Sequence, residues 1–294
     1  MFYRRKIILA VLQVCGGTVE KIKLQKLIFL ITIKQKEPAY EFVPYLFGCY
    51  SHSAKADLFT MVQRQSLTED ESSYTKKDKE DYLLSLDEED KKLVHNAYIL
   101  YNRMTSDDLM KHTYCSHPYY AINSTRAVEL LSPEQLAIVR LSRPVMNDVM
   151  LYTIGYEGIS LEGYLNKLIQ HDIKLLVDVR NNPMSQKFGF SKSQLIRYCG
   201  SLNIEYVHFA EVGIQSEYRQ ELKVQSDYDK LFKNYKNKTL TNTLSSQQRI
   251  LDLLKQKKRI ALTCFEANIC QCHRKHLAEA ITQLPEWEHE LKHI

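Results

Sequence analysis

The sequence predicts an α/β protein in two parts, with an open parallel sheet flanked by helices in the second half and a mainly helical first half. Two patterns carry this. From Leu151 onward, short apolar runs alternate with helical spacing, as βαβ units require. Before Pro144 the apolar residues recur mostly at helical intervals. A chain of 294 residues accommodates two ordinary domains. The boundary falls near Pro144 to Val149, separating 1–146 from 147–294.

In the first part, Ile8, Val11, Leu12 and Cys15 form the stripe of an amphipathic helix that Gly16-Gly17 ends. Thr18 is the expected N-cap of the next, with Leu24, Leu27, Ile28 and Ile31 inward. Phe42 to Tyr50 is aromatic and β-prone, punctuated by Pro44 and Gly48. A helix is expected from Ser53 to about Gln65, followed by a charged surface stretch over Glu69 to Lys79. Helices resume at Glu88 to Asn102 and Ser106 to Thr113. Ser132-Pro133 then opens one more, which Arg143-Pro144 closes.

In the second part, strands are expected at Leu151 to Ile154, Lys174 to Val179, Ile204 to Phe209 and Ile260 to Phe265. Ser160 caps a helix with Leu161, Tyr164, Leu165 and Leu168 on one side. Ser191-x-x-Gln194 is a capping box. Further helices are expected near Ser226, from Ser245 to Gln256, and from Arg274 to Leu284.

Composition is globular, with 44% hydrophobic and 26% charged residues. A net charge of +5 permits a nucleic-acid partner without requiring one. Seven cysteines, an odd number with Cys270 and Cys272 too close to pair, suit reduced thiols in the cytoplasm. Arg4-Arg5-Lys6 before Ile7 to Val14 imitates a secretory signal, but Gln13 interrupts it and no small-x-small site follows. No apolar run reaches membrane-spanning length, so no membrane partner is expected. Lys21, Lys23 and Lys26 form a basic run that reads as a solvated face or a DNA contact.

Ligands of open parallel sheets bind beyond the carboxyl ends of the strands, and here four strand ends carry reactive residues. Tyr156 and Glu157 follow the first. Asp178, Arg180 and Asn182 end the second, and His208 the third. Cys264 and Glu266 end the last, ahead of Cys272-His273-Arg274. The start of the closing helix offers an anion site, to which Arg274 adds a bidentate fork and where a thiol would have a lowered pKa. The same residues also admit blander readings: a buried Cys in a central strand, or an ion pair between Asp178 and Arg180 that only organises the edge. Cys264, Cys270, Cys272, His273 and His276 lack the paired C-x2-C knuckles of common zinc sites, so no metal is expected. Neither a dinucleotide nor a phosphate loop is present, and no cofactor is expected.

These motifs carry a family resemblance. T-I-G-Y-E-G at Thr153 to Gly158, L-V-D-V-R-x-N-P at Leu176 to Pro183 and F-S-K at Phe190 resemble the domain-of-unknown-function family numbered 488. So do I-x-Y-V-H at Ile204 to His208, E-x-G-I-x-S-E-x-R at Glu211 to Arg219, and C-F-E-A-x-x-x-x-C-H-R at Cys264 to Arg274. Gln215 and Tyr218 depart from the usual proline and leucine. The resemblance implies a Rossmann-like α/β domain without an agreed activity. The first 125 residues resemble the Panacea or SocA-like antitoxin family at Leu24 to Ile28, Phe42 to Gly48, Asp57-Leu58 and His117 to Tyr120. That implies a winged-helix-like module associated with regulation, toxin neutralisation or phage defence.

The expected function is an enzyme, a hydrolase or transferase, acting on a nucleotide or nucleic acid. Asp178, Glu266, Cys264, Cys272 and His273 are the catalytic candidates; Tyr156, Glu157, Arg180, Asn182, Arg219 and Arg274 would bind the substrate. The alternatives are a non-catalytic nucleotide sensor, a DNA-binding regulatory protein or a protein scaffold. The first part would contact a partner protein, nucleic acid or a second copy of the chain.

Overall fold

The computed structural model describes residues 1–219, 222 and 224–294, with the side chains of Ser216 and Arg219 outside that description. The chain divides into two compact units, Met1–Arg143 and Pro144–Ile294.

The first unit runs α1 (Tyr3–Val14), β1 (Thr18–Glu20), α2 (Lys21–Thr32), β2 (Val43–Tyr45), β3 (Gly48–Tyr50), α3 (His52–Gln63), β4 (Leu67–Glu69) and β5 (Ser73–Lys76). It continues through α4 (Glu88–Tyr101), α5 (Ser106–Ser116), α6 (Ala127–Leu130) and α7 (Pro133–Leu141). Ile7 to Leu12 of α1 and Leu24 to Thr32 of α2 are buried along their whole length, so these two helices are the core on which the rest packs. Three short strands form an antiparallel sheet in the order β1-β5-β4, and β2 pairs with β3. Two expectations change here. Thr18 begins a strand and Glu20 takes the N-cap position, while the charged stretch after Glu69 contains β5. Both strands are three or four residues long and pair across more than fifty residues, Thr18 with Thr75.

The lysine run is used internally. Lys26 is 2% exposed and donates to the Cys49 carbonyl at 2.9 Å. Lys23 reaches the carbonyls of Asn102 and Met104, and Lys21 pairs with Glu69. Lys26 is therefore buried structure rather than part of a solvated face, while Lys21 and Lys23 stay partly exposed.

The second unit runs β6 (Met150–Gly155), α8 (Leu161–Gln170), β7 (Leu175–Asp178), α9 (Lys192–Gly200), β8 (Glu205–His208), α10 (Gln225–Tyr235), α11 (Leu244–Lys257), β9 (Arg259–Cys264), α12 (His273–Thr282) and β10 (Glu290–His293). The five strands make one sheet in the order β10-β6-β9-β7-β8, with every pairing parallel. The chain leaves β6 toward β7 and β8, but leaves β9 toward β10 on the other side. The winding reverses between neighbouring β6 and β9, so the helices that follow them, α8 and α12, lie on opposite faces of the sheet. Helices α11 and α12 cover one face, closing over Ile260, Leu262, Cys264 and Val177. On the other, Tyr164 of α8 donates to the Thr263 hydroxyl at 2.8 Å. Among the described residues, no helix is long and apolar enough to cross a membrane.

Candidate functional site

Register sets the geometry at the carboxyl edge. Asp178 stands level with Thr263 on one side and His208 on the other, whereas Cys264 stands level with Gly155. Side chains alternate along a strand, so Asp178 and Thr263 share one face and Cys264 projects from the other. The expected single collection of acids, guanidinium groups and thiols is therefore two clusters, one per face, which meet only at the strand tips.

The first cluster is a closed ion pair. Asp178 is fully buried and Arg180 is 5% exposed. Arg180 donates to Asp178 from Nε at 2.8 Å, from Nη2 at 2.5 Å and from its backbone N at 3.1 Å. Tyr206 adds a fourth hydrogen bond to Asp178 at 2.7 Å. Arg180 Nη1 is shared between the Tyr156 hydroxyl and the Phe190 carbonyl. Burial alone would lower the Arg180 pKa; the bond and charge of Asp178 more than reverse this and hold the guanidinium charged. Burial, then the Asp178 charge, pushes the Tyr206 hydroxyl upward. A carboxylate with four donors on it is not placed as a general base, so Asp178 serves as the anchor of Arg180. Tyr156 stacks on Phe190 with ring centroids 4.4 Å apart and planes 11° apart, completing a rigid wall.

The second cluster gathers Cys264, Glu266, Cys272 and His273. Cys264 Sγ lies 3.2 Å from Glu266 Oε2 and 3.7 Å from His273 Nδ1. His273 Nε2 lies 2.9 Å from the Val179 carbonyl, which can only accept. In a neutral ring Nε2 therefore carries the proton, and Nδ1 is the nitrogen that faces the thiol. Cys272 is the N-cap of α12 with extended backbone, φ −126° and ψ 132°. Because it stands outside the helix, its side chain and that of His273 both reach Cys264, where helical geometry would have made them diverge. Burial, then contact with Cys264 and the Glu266 charge, pushes the Cys272 thiol well up, against the opposing Arg274. The expected lowering at a helix start is thus reversed, because desolvation of the fully buried thiol, with Cys264 and Glu266 beside it, outweighs the Arg274 charge. Cys270 is exposed, and His276 pairs with Glu279.

Arg274 and Glu157 hold the loop after β9. Arg274, 2% exposed, donates from Nη1 to the Glu266 carbonyl at 2.5 Å and from Nη2 to the Ala267 carbonyl at 3.3 Å. Glu157 accepts from Ala267 N at 2.9 Å. Arg180 and Arg274 are therefore not joined as a phosphate clamp. Each orders its own loop. The Arg219 side chain lies outside the described residues.

Where the two clusters meet there is a cavity of about 330 Å³, lined by Tyr156, Arg180, Asn182, Cys264, Phe265 and His273, with Asn181, Ser185, Gln186 and Ile214 among the others. A larger concavity of about 810 Å³ lies in the first unit, lined by residues such as Phe2, Arg4, Lys36 and Asp87. Its lining contains no thiol or imidazole, so the smaller cavity is the better candidate. Sequence reasoning missed Tyr206, Phe190 and Gly155. Tyr206 could have been found from its spacing, two residues before His208 on a strand beside Asp178.

A family model described as Domain of unknown function DUF488 matches residues 160–281. The matched region contains β7, β8, β9 and all but the last residue of α12, and hence both clusters except Tyr156. No curated protein matches the chain.

Proposed function

We propose that the second unit is an enzyme, a hydrolase or transferase, that acts on a nucleotide or a nucleic-acid end bound in the 330 Å³ cavity. One observation carries this reading: a thiol and an imidazole line a cavity at the carboxyl edge of the sheet, with the Glu266 carboxylate 3.2 Å from the thiol. Cys264, Glu266 and His273 are the reacting set, and His273 Nδ1 is the group that accepts a proton or binds an electrophile. Other residues that line the cavity suit a nucleotide. Asn182 Oδ1 accepts from Met184 N, which leaves its amide nitrogen to donate to a phosphate. Phe265, 43% exposed beside the cavity, presents a ring on which a base can stack. The first unit, with its resemblance to antitoxin-type modules, supplies a partner protein or a polynucleotide in this reading.

The test is a mass-spectrometric search for products. The full chain is incubated with nucleoside mono- and triphosphates and with short DNA and RNA oligonucleotides. At least one is expected to be converted by the wild type and by neither Cys264→Ser nor His273→Gln. Phe265→Ala is expected to raise KM roughly five- to hundredfold, the loss of about 1–3 kcal/mol of base stacking, with kcat little changed. Conversion that persists in both site variants would remove the assignment, and saturable binding without any product would identify a sensor instead.

A further inference from the structure

Cys264 Sγ, Cys272 Sγ and His273 Nδ1 all lie within 4.8 Å of one another, and all three residues are buried. We propose that they bind a divalent metal ion of the zinc class, with a solvent molecule from the cavity as fourth ligand. The inference deepens the proposed function and rests on it for the reaction, but metal binding itself is read without any substrate.

Four observations support the site. The first is spacing. Zinc–sulfur bonds of about 2.3 Å and zinc–nitrogen bonds of about 2.0–2.1 Å give a tetrahedron whose sulfur–nitrogen edge is about 3.5 Å. The Cys264–His273 separation is 3.7 Å, close to that edge. The second is the ring. A metal-bound histidine characteristically donates its other nitrogen to a carbonyl or carboxylate, and His273 Nε2 stands against the Val179 carbonyl. The third is softness: two thiols and an imidazole select zinc or a similar transition ion over magnesium or calcium. The fourth is access. Cys264 and His273 line the cavity, so a fourth coordination position between them faces it. Three protein ligands with one position toward solvent is the arrangement of catalytic rather than structural zinc. The bound ion would keep both buried thiols deprotonated and would serve as Lewis acid toward a group in the cavity.

Cobalt(II) reports such a site spectroscopically. The reduced full chain, stripped with a chelator, is titrated with cobalt and then with zinc. One equivalent is expected to produce tetrahedral visible bands and a thiolate-to-cobalt charge-transfer band, which zinc then abolishes. Cys264→Ser and Cys272→Ser should each remove about half of the charge-transfer intensity, since that band counts thiolate ligands. His273→Gln should weaken affinity by more than the roughly 10–100-fold that loss of an outer-shell partner costs. Cys270→Ser should bind as the wild type does. Should Cys272→Ser fail to fold, Cys264→Ser and His273→Gln decide the matter. The proposal is overturned by a wild type without a saturable cobalt signal, by a signal indifferent to these substitutions, or by a Cys264–Cys272 disulfide that persists with zinc and reductant present. Nucleotide binding, measured on the same stripped samples, separates the two readings. Nucleotide bound without any metal affinity sinks the metal alone, and metal bound without nucleotide sinks only the substrate class.

Discussion

Asp178→Ala is expected to destabilise the second unit by about 3–5 kcal/mol, because it leaves a buried guanidinium without its counter-charge. Arg180 is 5% exposed, and Asp178 receives two of its side-chain donors and its backbone N–H. The Tyr206 hydroxyl loses its acceptor at the same time. Domain stabilities are typically about 5–15 kcal/mol, so one substitution removes a large share. Calorimetry of the full chain should show the transition of the second unit moved far down or lost, with that of the first unit in place. The double substitution Asp178→Ala, Arg180→Met removes both charges and should cost less than the sum of the two single changes. A single change costing under about 1 kcal/mol would mean that the pair is solvated rather than a dry anchor.

Gly155→Ala is expected to disrupt the reacting set from a distance. A Cβ at Gly155 would lie 2.0 Å from the Glu266 carbonyl oxygen and 2.8 Å from its carbon, with Arg274 Nη2 at 3.1 Å. Both of the nearest atoms are backbone, so the loop after β9 must move. The Arg274 clamp on the Glu266 and Ala267 carbonyls moves with it. Overpacking of this kind costs about 1–3 kcal/mol in stability. The larger effect is on function, because Glu266 is drawn away from Cys264. Product formation should fall to background while the protein still melts cooperatively. Gly200→Ala is the control: it ends α9 with nothing within 4 Å of the added carbon, so it should be neutral or mildly stabilising, with activity unchanged. Full activity in Gly155→Ala would mean that the loop holding Glu266 takes no part in the chemistry.

The strands of the second unit were legible because their apolar runs are bounded by turn residues and separated by helical patterns. β10 was not, since Glu290 to His293 is a largely polar edge strand after Trp287 with no apolar run to announce it. The site was half legible. That strand ends would supply Cys264, Glu266, Arg180 and His273 followed from sequence order. Their division between two faces did not, because it depends on register: Asp178 pairs with Thr263 and not with Cys264, and a slip of one residue would place them together. The direction of the Cys272 pKa was equally hidden. A helix start is visible in sequence, but the complete burial that overrides it comes from α12 packing against β6 and β9.

The central claim is that the cavity at the strand tips receives a nucleotide. Met184 and Ile214 both line it, and their methyl groups are direct reporters by nuclear magnetic resonance of the full chain labelled at methionine and isoleucine. Titration with adenosine monophosphate should shift the Met184 and Ile214 signals saturably and leave Ile28, in the core of the first unit, unmoved. Signals from Met184 and Ile214 that stay fixed to millimolar nucleotide, or that move no more than Ile28, would contradict the account.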